Sequence, residues 1–239
     1  MRNKGLLICD FSGVYEEEGF IKALRGDGIP FEVLDFKGVE GAQCYCDGEA
    51  EKKIRALTDG RKEVVRWIDS GDYHYMSLLC AESIEDPFIL VLLDNHPDDQ
   101  APEFGEILSC GGWVKELRKN SKALEGLLAV GPEGELKGPE DFKKAFAQVA
   151  PRRVYISLDK DVMGRDYART DWSQGNLSLD EVKEIIREVL GSGAEILGID
   201  ICGELTESKG AKAEDYEINL RTNIELQKLI SDYLNHCYV

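Results

Sequence analysis

Short apolar runs alternate with amphipathic stretches along the whole chain. The runs cover residues 6–9, 31–36, 88–93, 127–130, 154–158 and 196–199. Most of them are continuously apolar, which is typical of parallel strands that are covered on both faces. The pattern therefore predicts an α/β fold, with a mostly parallel central sheet in a three-layer α/β/α arrangement.

Three of the amphipathic stretches carry helix signals. Ser178 and Glu181 form a capping-box pair ahead of an apolar face that ends at Gly191. Pro139 is placed to open a second helix, and residues 215–234 have apolar positions at helical spacing. No repeat, low-complexity tract or Pro/Ser-rich linker divides the sequence. We therefore expect a single domain over residues 1–239.

The composition narrows the classes of function. The 239 residues include 46 acidic and 29 basic side chains, which gives a formal net charge of −17. This charge argues against binding to nucleic acid or to an anionic membrane surface. The first apolar run is too short for a signal peptide or a membrane span, and several of the seven cysteines lie in apolar runs. We expect a cytoplasmic protein whose partner is a small-molecule substrate.

Acidic side chains directly follow three of the predicted strands. The runs 88–93, 154–158 and 196–199 are followed by Asp94-Asn95-His96-Pro97-Asp98, by Asp159-Lys160-Asp161 and by Asp200. Ligands of parallel sheets bind outside the carboxyl ends of the strands, so these groups are expected in one cleft. Two carboxylates about 4 Å apart repel by roughly 4 kcal/mol at an effective dielectric near 20. Two divalent cations would offset four carboxylates, and oxygen donors mixed with imidazole suit Mn²⁺.

Three motifs give the chain a specific resemblance. They are Gly71-Asp72-Tyr73-His74, Asp94-Asn95-His96-Pro97-Asp98 and Ser157-Leu158-Asp159-Lys160-Asp161. The chain resembles the arginase/agmatinase family, the ureohydrolases, whose motifs are Gly-Gly-Asp-His, Asp-Ala-His-x-Asp and Ser-x-Asp-x-Asp. In the first motif of this chain, one residue separates the aspartate from the histidine. The resemblance spans most of the sequence, although family members are usually longer.

The resemblance implies an arginase-like fold and two Mn²⁺ ions per chain. One ion would be held by His74, Asp94, Asp98 and Asp159, and the other by Asp94, His96, Asp159 and Asp161. Asp98 would also be catalytic and would pass a proton to the leaving nitrogen. The implied activity is a metal-dependent hydrolase, in which a dimanganese-bound hydroxide cleaves a linear, non-peptide C–N bond. The substrate would carry a guanidino, formimino or amide group.

Three departures from the family pattern concern the substrate. Residues 108–113, where a proton-shuttle histidine is expected, contain none. In the Asp-x-x-Glu motif, Gly203 stands at the place of the glutamate and Glu204 follows one residue late. Gly164-Arg165 replaces an Asp-Pro pair. We take Glu204, Arg165 and Trp113 as candidate substrate-binding residues.

Two alternative functions stay open. A deacetylase-like amide hydrolase would use one zinc ion and a histidine pair, but the sequence contains no His-His pair. A metal-containing member of the fold that has lost hydrolysis would explain the missing histidine and the displaced glutamate. The resemblance also allows a homo-oligomer.

Overall fold

A parallel sheet lies at the centre of the protein. The computed structural model describes residues 3–101, 105 and 107–236. Within this part of the chain, the central sheet has seven strands in the order β2-β1-β4-β9-β8-β5-β7, and all neighbouring pairs are parallel. The strands are β1 (Asn3–Asp10), β2 (Phe31–Asp35), β4 (Glu63–Trp67), β5 (Phe88–Leu93), β7 (Leu124–Val130), β8 (Arg153–Asp159) and β9 (Glu195–Cys202).

The helices connect these strands. They are α1 (Val14–Glu17), α2 (Phe20–Gly26), α3 (Gly48–Thr58), α4 (Met76–Ala81), α5 (Trp113–Asn120), α6 (Pro139–Val149), α7 (Leu179–Gly191) and α8 (Ala213–His236). Two further strands, β3 (Tyr45–Cys46) and β6 (Leu108–Ser109), form a small antiparallel ribbon outside the main sheet. No helix in the described ranges has the length and apolar character needed to cross a membrane.

The sheet is buried on both faces, which explains the unbroken apolar runs. All six residues of β5 are buried. One hydrophobic cluster packs residues of α2, α6, α7 and α8 against one face of the sheet. A second cluster packs residues of α3, α4 and α5 against the other face. The predicted α/β class with a parallel central sheet between helical layers is confirmed.

The helix signals also agree with the structure. Ser178 caps α7, and its side chain and that of Glu181 form the reciprocal capping-box hydrogen bonds. Pro139 is the first residue of α6, and the buried Phe142 and Phe146 face the core. The sequence pattern missed β4, because Arg66 interrupts its apolar residues.

Candidate metal centre

A pocket of about 200 Å³ lies at the carboxyl ends of β5 and β8, which are neighbours in the sheet. Asp94 directly follows β5, Asp159 is the last residue of β8, and Asp161 lies in the 3-10 turn that comes next. The pocket is lined by all six of the predicted metal ligands, which are His74, Asp94, His96, Asp98, Asp159 and Asp161. The structure therefore brings the three motifs together at one point.

Three of the aspartates are held in the same way by the backbone. Oδ1 of Asp94 accepts a hydrogen bond from the His96 amide at 2.7 Å. Oδ1 of Asp159 accepts from the Asp161 amide, and Oδ1 of Asp161 accepts from the Asn95 amide, both at 2.9 Å. The Oδ2 atoms of Asp94 and Asp161 are buried and receive no hydrogen bond. The fold thus fixes one oxygen of each carboxylate and leaves a second one for the pocket.

His74 faces this carboxylate group with its Nδ1 atom. The side chain is 2% exposed, and Nδ1 lies 3.2 Å from Oδ2 of Asp94 and 3.0 Å from Oδ2 of Asp98. On the other side of the ring, Nε2 lies 2.8 Å from Oγ of Ser157. With the Nε2 proton donated to that hydroxyl, Nδ1 presents its lone pair to the pocket.

His96 repeats this arrangement on the more exposed side of the pocket. Its Nδ1 lies 2.8 Å from Oδ2 of Asp161 and 3.7 Å from Oδ1 of Asp94. Its Nε2 lies 2.9 Å from Oγ of Ser173, a residue whose carbonyl also accepts from the Asn95 side chain. Both imidazoles are therefore oriented by a serine behind them and offer the same ring atom to the pocket.

Asp98 takes an unusual backbone conformation to reach the site. Its φ is 48°, in the left-handed region that non-glycine residues rarely adopt, and it follows Pro97. Its Oδ2 accepts a hydrogen bond from Nε1 of Trp113 at 2.6 Å. Burial raises the pKa of the Asp98 carboxyl above its ordinary value. The strained turn and the indole together hold this carboxylate beside His74.

The electrostatics of the cluster are unfavourable for the protein alone. Burial and the charges of Asp161 and Asp94 raise the pKa of Asp159 to about 8. Burial and the charge of Asp94 raise the pKa of Asp161 to about 7. The adjacent carboxylates of Asp161 and Asp94 raise the pKa of His96 to about 11. The cluster therefore favours any added positive charge, either protons or cations.

The donor groups fit two divalent cations. The ligand atoms of His74, Asp94 and Asp98 lie within 4.8 Å of one another, as do those of Asp94, His96 and Asp161. Asp94 belongs to both groups, as a bridging ligand would, and Asp159 joins His74 in a further group. Together with the unpartnered Oδ2 atoms of Asp94 and Asp161, this set of carboxylates and imidazoles suits hard or borderline divalent ions.

Glu204 does not bind in this pocket, contrary to the sequence-based expectation. The Glu204 side chain is completely buried outside the pocket lining, where its Oε1 pairs with the Lys160 ammonium. The Asn219 and Asn223 side chains also donate to its two oxygens, at 2.8 and 2.9 Å. The physical reason is that β9 ends at Cys202 and the backbone turns at Gly203, so that the Glu204 carboxylate meets Lys160, Asn219 and Asn223.

Gly203, at the place of the family glutamate, packs directly on the metal centre. Its φ is 96°, and a Cβ atom there would lie 2.3 Å from Oδ1 of Asp159 and 2.8 Å from the Lys160 amide nitrogen. A side chain at this position would displace a predicted metal ligand. The described part of the pocket therefore has no carboxylate beyond the metal cluster.

The other two candidate substrate-binding residues also lie outside the pocket lining. Trp113 is fully buried, with its ring centroid 5.0 Å from that of His74, and its indole donates to Asp98. Arg165 is exposed, in the turn after the third motif. The structure therefore places neither residue in the lining of this pocket.

Asp200 does not join the acidic cluster either. It lies inside β9, two residues before the end of the strand, and pairs with the buried Arg66 of β4 at 2.5 Å. Tyr155 completes this network by donating to Asp200 at 2.5 Å and accepting from Arg66 at 2.7 Å. The apolar run ended at Ile199 in the sequence, but the strand continues because Arg66 neutralises the aspartate on the neighbouring strand.

Several residues of the pocket carried no metal-site motif in the sequence. Trp172 lines the pocket next to His96, and the centroids of the two rings are 6.1 Å apart. Nε1 of Trp172 donates to Asp72 at 2.9 Å. Cys44 and Cys110 flank the β3–β6 ribbon, where the Cys110 amide donates to the Cys44 carbonyl, and both line the pocket. Cys202, the last residue of β9, contacts the Asp159 carboxylate through its Sγ atom. Trp172 follows the third motif closely enough to be suspected, whereas strand register alone brings Cys202 to the site.

Comparison with known proteins agrees with this geometry at the level of the fold. No family model matches the chain. An uncharacterized protein of Thermotoga maritima is 29% identical over 231 residues, which cover 93% of this chain and 90% of the relative.

Solved structures of similar fold include three amidine-cleaving or arginine-related enzymes by name. Proclavaminate amidino hydrolase from Streptomyces clavuligerus has a TM-score of 0.68 at 16% identity, covering 99% of this chain and 94% of that one. Formimidoylglutamase from Bacillus subtilis has a TM-score of 0.64 at 16% identity, with coverages of 98% and 89%. Arginase from Bacillus caldovelox has a TM-score of 0.63 at 13% identity, with coverages of 93% and 97%. The expected arginase-like fold is thus confirmed.

Proposed function

We propose that the protein is a metal-dependent hydrolase of the ureohydrolase type, which cleaves a linear, non-peptide C–N bond. The observation that carries the proposal is the convergence of two imidazole Nδ1 atoms and four carboxylates in one pocket. The arginase-like fold, with its similarity to structures named as hydrolases of this kind, supports it. The proposal includes two Mn²⁺ ions per chain as the first cations to test.

The ligand residues have separate tasks in this proposal. His74, Asp98 and Asp159 would hold one cation, His96 and Asp161 would hold the other, and Asp94 would contact both. A bound pair of divalent ions supplies a nucleophile at neutral pH and offsets the charge that develops on the substrate.

Asp98 would transfer a proton from the attacking water to the leaving nitrogen of the substrate. Trp113 donates to Oδ2 of this carboxylate and holds it beside His74. A carboxylate fixed at the metal site is suited to take a proton from water and to return it to a departing nitrogen. Asp98 would thereby also do part of the work of the proton-shuttle histidine that residues 108–113 lack.

The pocket favours an amide substrate over a guanidino or formimino one. Guanidinium and formamidinium groups are both cations at neutral pH, and a cation in a pocket needs carboxylate acceptors to offset its charge. The acidic residues of the described lining are Asp94, Asp98, Asp159 and Asp161, all of them predicted metal ligands, and Gly203 stands where the family has its glutamate. An amide group is neutral and needs no such partner.

A substrate panel tests the proposal. The full-length protein is stripped with a chelator, loaded with Mn²⁺, and incubated with guanidino, formimino and amide compounds while urea, ammonia and formamide are measured. We expect release from an amide compound, and none with the Asp161→Asn variant. A protein that binds two ions and turns over no member of the panel would contradict the proposal and favour a non-catalytic role.

A further inference from the structure

Cys202 brings a thiol to one half of the candidate metal centre. It is the last residue of β9 and stands in register with Asp159 of β8, so the two side chains lie next to each other on one face of the sheet. Its Sγ lies 3.3 Å from Oδ2 of Asp159, and the residue is 1% exposed. Oδ2 is the Asp159 oxygen that the backbone does not hold.

The thiol also lies within reach of the imidazole. The ligand atoms of His74, Asp159 and Cys202 all lie within 4.8 Å of one another. Nδ1 of His74 is 3.7 Å from Oδ2 of Asp159 and 3.2 Å from Oδ2 of Asp94, a buried oxygen that receives no hydrogen bond. An imidazole nitrogen, carboxylate oxygens and a sulfur atom therefore surround one small region, and one of these oxygens has no partner from the protein.

We propose that Cys202 is an additional ligand of the cation held by His74, Asp94, Asp98 and Asp159. A thiolate is a soft donor that selects Zn²⁺ and related ions over Mn²⁺. The half-site of His96 and Asp161 contains only imidazole and carboxylate donors. The two halves therefore differ in preference, with a thiophilic ion such as Zn²⁺ or Fe²⁺ beside Cys202 and a harder ion beside His96. On binding, an S–metal bond replaces the S–H bond, and the proton passes to solvent.

This inference rests on the proposed function only in using the same metal site, and its readout does not require turnover. The metal-free, full-length protein is titrated with Co²⁺, whose bonds to cysteine sulfur give a charge-transfer band in the near ultraviolet. We expect the band in the unmodified protein. We expect it to be lost in Cys202→Ser and in Cys202→Ala, two variants that guard against a folding defect in either one.

Two control variants locate the effect. Cys9→Ser removes another buried thiol, which lies on β1 outside the pocket, and should leave the band unchanged. Asp161→Asn alters the other half-site and should also keep the band. In competition titrations, Cys202→Ser should weaken Zn²⁺ binding by roughly 10–100-fold, the scale expected for changes around a metal site, and alter Mn²⁺ binding much less.

The outcomes separate this inference from the proposed function. Cobalt binding with no charge-transfer band, or a band that persists in both Cys202 variants, overturns the inference and leaves hydrolysis intact. A Cys202-dependent band in a protein that turns over no substrate supports the ligand assignment and counts against the hydrolase. Failure to bind Co²⁺, Zn²⁺ or Mn²⁺ overturns both.

Discussion

Two clusters of buried charge lie on opposite sides of residues 159–161, and they are neutralised differently. Asp159 and Asp161 point into the pocket, where four carboxylates face two imidazoles and two carboxylate oxygens have no hydrogen bond. Lys160, between them in the sequence, points the other way and is completely buried. Its ammonium pairs with Glu204 and donates to Asn223 at 2.9 Å. The pocket has more carboxylates than imidazoles, whereas Glu204 has a lysine ammonium as its direct partner.

The two clusters differ in how their buried carboxylates are paired. Glu204 also accepts hydrogen bonds from two asparagine side chains, and one of them, Asn223, donates as well to the buried Glu18 at 2.7 Å. Such partners limit the cost of burying an ion pair. Burial and acidic neighbours raise the pKa values of Asp159 and Asp161 in the pocket. A buried cluster with an excess of acid and oxygen atoms directed at one point is what a protein builds for an external cation.

The largest expected effect comes from removing the carboxylate that both metal groups share. Asp94→Asn should lose both cations and reduce turnover of any substrate found in the panel by at least about 10³-fold, since metal ions contribute several kcal/mol to such reactions. Metal content per chain and kcat are the measurements. The control is Asp99→Asn, a half-exposed neighbour paired with Arg118 at 3.5 Å, which should retain both. Full metal content in Asp94→Asn would show that the carboxylate is not a ligand.

Breaking the other cluster should act on stability. Lys160→Met leaves the Glu204 carboxylate buried without its cation, and this should cost about 3–5 kcal/mol in the free energy of unfolding. Urea denaturation of the metal-free protein measures it. The double variant Lys160→Met/Glu204→Gln removes the unpaired charge and should recover much of the loss. If the single variant is as stable as the parent, the contrast between the two clusters is wrong.

A smaller effect is expected from pH. The folded-state pKa values of Asp159 and Asp161 are raised to about 8 and about 7 from an ordinary value near 4. The stability that their protonated forms contribute is therefore present at low pH and lost as the pH rises through 7 and 8. The raised pKa of His96 has the same sign, because its charged form is also lost on raising the pH.

We therefore expect the metal-free protein to lose stability between pH 6 and pH 8.5, by on the order of 1 kcal/mol per pH unit. Metal ligands bind as deprotonated groups, so saturating Mn²⁺ should remove or reverse this slope. Urea midpoints at several pH values, with and without Mn²⁺, measure both. A pH-independent metal-free protein would mean that the pocket carboxylates are neutralised in some other way.

Much of the fold could be predicted because burial on both faces leaves a simple trace in the sequence. β5 reads as an uninterrupted apolar run, and the six ligand positions follow strands or a recognisable motif. The same logic failed at β4 and β9. Arg66 broke one run and Asp200 ended the other, although the two residues neutralise each other across adjacent strands. Such a pair cannot be predicted from the sequence until the strand order and register are known.

The substrate side of the site was less predictable for related reasons. Glu204 was expected in the pocket because it lies one residue from a motif position, but the backbone turns at Gly203 and the Glu204 side chain pairs with Lys160 instead. Trp113 lies near the pocket in sequence and in space, yet its indole points at Asp98. Cys202 and Asp159 are 43 residues apart, and only the register of β9 against β8 brings them into contact.

The close packing of Gly203 on Asp159 has a consequence for protein engineering. Converting this chain into an arginine-cleaving enzyme by the single change Gly203→Glu should fail, because the new side chain would clash with Asp159 and displace a predicted cation ligand. The backbone conformation at Gly203 leaves no space for a side chain, so redesign must begin with the backbone of the segment after β9.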